Sequence, residues 1–327
     1  MRALRVSEGG VELDRGVAEP EAPAGEVIIR PKCMGVCSTD LELCRGYMGF
    51  NGTLGHEFVG VVESAKDIVD RAWVGQRVVG RINCVCGECD MCRRGLPEHC
   101  RNRTVLGIAG RDGVFADRFV LPTQNLLAVP DGVSDEQAVF AEPLAAAFQV
   151  LRQLVVEGRP YITVLGDGRL GLLCTQVMAR LNATVRCVGK HPEKLALCER
   201  WGIKARPLDE VGLRQDQDIV VDCTGSPSGL ATAVQMVRPR GTIVLKTTVA
   251  GENGMAAASA ETLAAVVVNE ITVLGSRCGP FEDALAALAA DEVDVTSLIS
   301  RRVRLDDGVK ALKLADQSGV VKVLLTP

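Results

Sequence analysis

The stretch "PYITVLGDGRLGLLCTQVMARLNATVRCVG", residues 160–189, restricts the fold more than any other part of the chain. A β-branched run, "YITVL", meets Gly166, Gly168 and Gly171 and passes straight into an apolar-periodic segment; the Val-rich run "TVRCV" follows. Three glycines at G-x-G-x-x-G spacing between such runs predict strand, tight turn, helix and strand. That unit builds an open parallel sheet with helices on both faces. "DQDIVVDCTGSPSGLATAVQMVRPRGTIVLK" (216–246) repeats the order, and "NEITVLGSRC" (269–278) adds a further strand.

Residues 1 to about 140 read differently. "EVIIRPKCMGV", "EFVGVVES" and "QRVVGRIN" are short Val/Ile-rich runs punctuated by Gly and Pro, the pattern of a β-rich domain. A chain of 327 residues is too long for one ordinary core, so two domains are expected. Near the C-terminus "FEDALAALAA" predicts an amphipathic helix, and "LDDGVKALKLADQSGVVKVLLTP" a helix and a last strand. That tail is expected to return to the first domain. The expected division is 1–145 with 278–327, and 146–277.

Net charge of −4 gives no footprint for nucleic acid or an anionic membrane, and no apolar run reaches 18 residues. The charged N-terminus "MRALRVSEGGVELDRG" does not read as a signal peptide, so a cytoplasmic location is expected. Thirteen cysteines then need a reason other than disulfides, because the cytosol keeps thiols reduced. Cys174, Cys187, Cys198, Cys223 and Cys278 sit in apolar contexts and read as core fillers.

The others do not read so. "CGECDMCRRGLPEHC" holds Cys86, Cys89, Cys92 and Cys100, spaced C-x2-C-x2-C-x7-C, in a lobe over 84–101. Four closely spaced thiolates suit tetrahedral Zn²⁺, and a closed four-thiolate site is structural. An iron–sulfur cluster would continue x3-C-P; here the run is x7-C followed by Arg101, which favours zinc. Cys84 and His99 are spare donors in the same lobe.

"GVCSTDLELC" and "LGHEF" raise a second metal question. Cys37 and His56 are candidate catalytic zinc ligands, and such a site needs a third protein ligand and an open position. Glu142, in the otherwise apolar "FAEPLAAAF", completes a Cys/His/Glu set; the plain alternative is an exposed helix start before Pro143. Glu57 is a fourth candidate, as ligand or as a carboxylate just behind the metal. The Thr39 hydroxyl is placed to carry a proton, and Asp40 to hold the far nitrogen of a zinc histidine. Tyr47, Met48 and Phe50 are candidate pocket liners.

The glycine turn, Gly166, Asp167, Gly168, Arg169, Leu170 and Gly171, opens a helix whose first amides would bind a pyrophosphate. The dinucleotide fingerprint also wants an acid about 20 residues on, for the ribose of NAD. No Asp or Glu occurs between Gly171 and Glu193; the second strand ends in Gly189, Lys190 and His191. Loss of the acid, with Lys190, His191 and Arg186 as candidates to attract a 2′-phosphate, favours NADP(H) over NAD(H).

Together these stretches resemble the medium-chain dehydrogenase/reductase superfamily, zinc-dependent alcohol dehydrogenase type, over essentially the whole chain. "GVCSTDL" is similar to that family's first zinc-ligand motif and "GHEFVGVV" to its second. The cluster at 86–100 is similar to its structural-zinc lobe and "GDGRLG" to its coenzyme loop. "DCTGSPSG", with Thr224 and Gly225, resembles the strand and turn near the nicotinamide, and "GSRCG", with Ser276, the segment bordering that ring. "AEPLAAA" is similar to the sorbitol- and glucose-dehydrogenase-like branch, where Glu replaces Cys. The resemblance implies an α/β fold, a β-rich GroES-like catalytic domain plus a doubly wound Rossmann domain. It implies hydride transfer between NADP(H) and an alcohol or polyol, or its aldehyde or ketone partner, with catalytic and structural Zn²⁺. The alternative is a catalytically inactive protein that binds coenzyme and zinc in a structural or regulatory role. The apolar strand in "NEITVLGSRC" suggests pairing across a two-fold axis, hence a homodimer or homotetramer.

Overall fold

The computed structural model describes residues 1–248 and 258–327. The chain divides into two compact units, Met1–Glu142 with Phe281–Pro327, and Pro143–Pro280.

The first unit is built on a seven-stranded sheet. Leu126–Ala128, Arg77–Gly80, Glu57–Ala65, Glu26–Gly35, Lys322–Thr326 and Ile299–Arg304 lie side by side in that order, and Phe119–Pro122 also pairs with Glu26–Gly35. Strand Glu26–Gly35 alternates at first: Val27 and Ile29 are buried, and the residues between them less so. Its last three residues are all buried, as are the first four of Glu57–Ala65, so the facing ends of both strands lie deep in the core. Their antiparallel register sets Gly35 opposite Glu57 and Met34 opposite Phe58. Cys37, just past one strand, and His56, just before the other, therefore emerge at the same edge. The C-terminal strand joins there too, with Leu324 opposite Gly35 and the Val36 amide donating to Val323. A smaller sheet of Asn83–Cys84, Thr104–Leu106 and Gly110–Arg111 carries the cysteine lobe.

The second unit holds a six-stranded parallel sheet in the order Lys204–Pro207, Thr184–Gly189, Tyr161–Leu165, Gln217–Asp222, Val237–Leu245 and Thr272–Gly275. The chain winds outward one way from Tyr161–Leu165, then returns and winds the other way, so the order reverses beside that strand. In such sheets ligands bind at the carboxyl ends of the strands next to the reversal. Leu165, Val188, Val220 and Ile243, all within 2 % of full burial, form one cluster with Met236 and Val237. Burying each such side chain contributes about 1.5–3 kcal/mol. Helix Arg169–Ala179 starts on the glycine turn and buries every residue from Gly171 to Met178.

Candidate functional site

The lobe cysteines converge. Cys86, Cys89, Cys92 and Cys100 each offer sulfur within 4.8 Å of the others. Sulfur separations are 3.5 Å for Cys89–Cys92, 3.8 Å for Cys89–Cys100 and 3.5 Å for Cys86–Cys100. A zinc tetrahedron with Zn–S of about 2.3 Å has edges of about 3.8 Å, so the donors fit zinc. The local environment splits the thiols: amides of Cys92 and Arg101 pull Cys89 down to about 6, while burial and then the Cys89 and Cys100 sulfurs push Cys92 up to about 12. Cys86 is also lowered, by amides of Glu88 and Cys89. His99 sits in the turn Pro97–His99 and stays out of the group, as does Cys84, which is buried against the Asn125 amide.

The second cluster gathers Cys37, His56 and Glu57, again with donor atoms within 4.8 Å. Cys37 caps helix Ser38–Cys44, and Asp40, three residues on, closes the cap: its Oδ2 accepts the Cys37 amide at 2.8 Å. Asp40 Oδ1 accepts the Gly55 amide at 3.2 Å and stands 3.4 Å from His56 Nδ1. This fully buried carboxylate thus ties both candidate ligands to one point. Thr39 Oγ1 lies 3.7 Å from Cys37 Sγ.

The electrostatics ask for a cation. Burial opposes a charged His56 ring, yet Asp40 and then Cys37 outweigh it and push His56 well above its ordinary value. His56 Nδ1 has no hydrogen bond of good geometry despite full burial. Soft sulfur, imidazole and carboxylate around a buried, anion-rich point suit Zn²⁺.

Glu57 has a partner that sequence reasoning missed. Lys322 Nζ donates to Glu57 Oε2, and the pair is almost wholly inaccessible. The ammonium also lies 5.5 Å from the Phe140 ring centroid. Gly35 makes room: a Cβ there would stand 2.2 Å from Glu57 Oε2 and 2.9 Å from Lys322 Cε. The signal was a lone lysine in the apolar run "VVKVLL". Glu142 is not brought into the Cys37 group; it stands near the start of helix Ala141–Gln153, half-buried. Tyr47 and Met48 are exposed, Phe50 partly so.

In the parallel-sheet unit the glycines meet real constraints. Gly166 has φ +112°, and a Cβ at Gly171 would stand 1.9 Å from the Gly166 carbonyl oxygen. Gly168 caps the following helix, and nothing lies within 4 Å of where its Cβ would be. Arg169 and Leu170 form that helix's first turn. Open space at a helix N-terminus fits the approach of a pyrophosphate. Thr224 donates its amide and hydroxyl to Asp222 Oδ1 at 2.9 and 2.7 Å, and the Gly225 amide donates to Thr247 Oγ1 at 2.8 Å. Ser276 Oγ accepts from Lys246 Nζ at 3.2 Å. Lys246, buried directly after strand Val237–Leu245, is a second lysine that sequence reasoning passed over.

The strand end at Gly189 departs from expectation. No acid lies along the chain there, but Asp167 brings one through space: Oδ2 accepts the amides of Lys190 and His191 at 2.8 and 2.7 Å. Linear distance to the strand end concealed it. Arg186 is not available at that end, because its Nε donates to Thr163 Oγ1 at 2.8 Å in mid-sheet.

Residues 23–131 match the alcohol dehydrogenase GroES-like domain, and residues 145–326 the glucose dehydrogenase C-terminus. The chain is 27% identical to the sorbitol dehydrogenase of Halalkalibacterium halodurans, over 100% of this chain and 99% of that one. It is 28% identical to the L-threonine 3-dehydrogenase of Chelativorans sp., over 96% and 95%. A zinc-binding dehydrogenase of Sinorhizobium meliloti bound to NADP matches with a TM-score of 0.88 and 28% identity, over 100% and 99%. The alcohol dehydrogenase rspB of Escherichia coli with NADH matches with a TM-score of 0.88 and 26% identity, over 100% and 99%. The two family matches span both units, and with them this chain belongs to the zinc-dependent alcohol dehydrogenase type of the medium-chain dehydrogenase/reductase superfamily, on its sorbitol- and glucose-dehydrogenase-like branch.

Proposed function

We propose that the protein transfers hydride between NADP(H) and an alcohol or polyol, or the matching aldehyde or ketone, at a zinc held by Cys37 and His56. The observation that carries this reading is the Cys37–His56–Glu57 group, half-buried at Cys37 and buried at the other two, with Cys37 and His56 tied together by Asp40. The sorbitol dehydrogenase among the relatives supports a polyol. In this reading the unit with Cys37 is the catalytic domain and the parallel-sheet unit binds coenzyme.

Zinc at this point supplies Lewis acidity toward a substrate oxygen. The chain does the rest. Cys37 and His56 hold the metal, and Asp40 fixes the orientation of both. Thr39, beside Cys37, accepts the alcohol proton and passes it outward. Glu57, held on its far side by Lys322, completes the coordination. Gly168 and the first amides of helix Arg169–Ala179 receive the pyrophosphate, while Thr224, Gly225 and Ser276 border the nicotinamide. Cys86, Cys89, Cys92 and Cys100 hold a second, structural zinc.

The edge strand Thr272–Gly275 is largely exposed, and Leu263, Val267 and Val268 expose an apolar helix face in the same unit. Both features support a homodimer or homotetramer through this region. All thirteen cysteines are free, which supports a cytoplasmic location, and among the described residues no helix is long and apolar enough to cross a membrane.

The test is metal analysis with coenzyme titration and turnover on a polyol panel. Two zinc per chain, NADPH binding and NADP⁺-dependent oxidation are expected. One zinc per chain with coenzyme bound would remove the catalytic site.

A further inference from the structure

Gly189 ends its strand at the position where the dinucleotide fingerprint calls for a carboxylate. A side chain there is sterically excluded: a Cβ would stand 2.3 Å from Asp167 Oδ2 and 2.5 Å from Asp167 Cβ. Asp167 therefore occupies the space of the missing acid. It does not display its charge, however. Its side chain is only 7% exposed, and three donors converge on its two oxygens. Those donors are the amides of Lys190 and His191, at 2.8 and 2.7 Å from Oδ2, and His191 Nδ1, 3.0 Å from Oδ1.

The same clamp sets the outward groups. His191 keeps 35% of its side chain exposed while Nδ1 is committed to Asp167. The other ring nitrogen is then the one open to a ligand. Lys190 beside it is exposed, and so is Arg206, next to Val188 in the sheet register. Glu193, also exposed, is the nearest acid along the chain.

We propose that Asp167 is a positioning residue for the 2′-phosphate of NADP(H), holding His191 so that its outer nitrogen meets the phosphate together with Lys190. The proposal rests on the dehydrogenase reading above. A phosphate on the far side of the ring would meet the nitrogen that Asp167 leaves open. The Asp167 carboxylate is already matched by three donors and almost wholly buried. The turn thus converts an acid that would reject a 2′-phosphate, if it were displayed, into the support of a group that binds one.

The experiment is equilibrium titration of the zinc-loaded protein with NADPH and with NADH. Wild type, Asp167→Asn, His191→Gln and the double variant are compared. Wild type is expected to bind NADPH the tighter. Each single variant should lose about tenfold in NADPH affinity, the scale of one charge-assisted hydrogen bond, and under about twofold for NADH. The double variant should lose no more than either single one, since the two residues act as a unit. Tighter NADPH binding by Asp167→Asn would overturn the proposal, because the carboxylate would then be repelling the phosphate. Equal loss of both coenzymes would also overturn it, leaving Asp167 a turn-former only. If Asp167→Asn does not fold, His191→Gln decides alone, and an unchanged NADPH/NADH ratio sinks the idea. Wild type preferring NADH rejects the phosphate site while keeping the dehydrogenase; wild type binding neither coenzyme rejects both.

Discussion

Asp40 and Lys322 are buried charges whose value lies in what they hold. Asp40→Asn keeps the shape but weakens the hold on His56 and Cys37; zinc affinity should fall about 10–100-fold, read by competition with a chelator. Cys37→Ser should abolish turnover and reduce zinc from two to one per chain while NADPH still binds; full activity in that variant would remove the catalytic-zinc assignment. Lys322→Met removes one partner of the buried pair with Glu57, and such a loss costs about 3–5 kcal/mol. Denaturant unfolding of the variant measures that loss. Cys37, His56 and Asp40 were legible in the sequence because they lie within two short motifs. Lys322 was not, because it reaches Glu57 from 265 positions away.

The four-cysteine lobe and the glycine turn act as whole elements. Cys89→Ser removes one corner of the four-sulfur group, so the lobe should lose its metal; soluble yield and thermal midpoint should drop with coenzyme affinity unchanged. Gly171→Ala drives a methyl into the Gly166 carbonyl and should disable coenzyme binding without touching zinc content. The tail strand Ile299–Arg304 is held by Arg302, which donates to Glu136 and keeps that carboxyl below its ordinary value. A depressed carboxylate stabilises the folded state above its unfolded pKa, and that contribution is lost as pH falls through the folded one. Glu136→Gln should therefore lower the thermal midpoint slightly at neutral pH and not at pH values below the folded pKa. A pH series of melting curves checks the sign. Strand, turn and helix at 160–189 could be read from periodicity alone, since each carries its own local signal.

At the scale of the molecule, the unit Met1–Glu142 with Phe281–Pro327 is closed by its own C-terminus, where Lys322–Thr326 enters beside Glu26–Gly35. The six-stranded sheet of the other unit ends in the exposed strand Thr272–Gly275. If that edge pairs with a second copy, Val267→Asp with Val268→Asp should yield monomers in sedimentation velocity. A wild-type monomer at micromolar concentration would remove the proposed oligomer.

The family, the two fold types and the four-thiolate lobe follow from the sequence by itself, because each is written in local spacing: glycines at a helix start, cysteines on one loop, alternation along a strand. What only the tertiary structure decided are the long-range pairings. Register between two strands placed Cys37 beside His56, and the last strand delivered Lys322 to Glu57. The acid sought beyond the second strand arrived instead from the glycine turn, as Asp167. Spacing along a chain specifies neighbours within a turn or a loop. Which buried charges meet across it is set by sheet register and packing, and those exist only once the chain has folded.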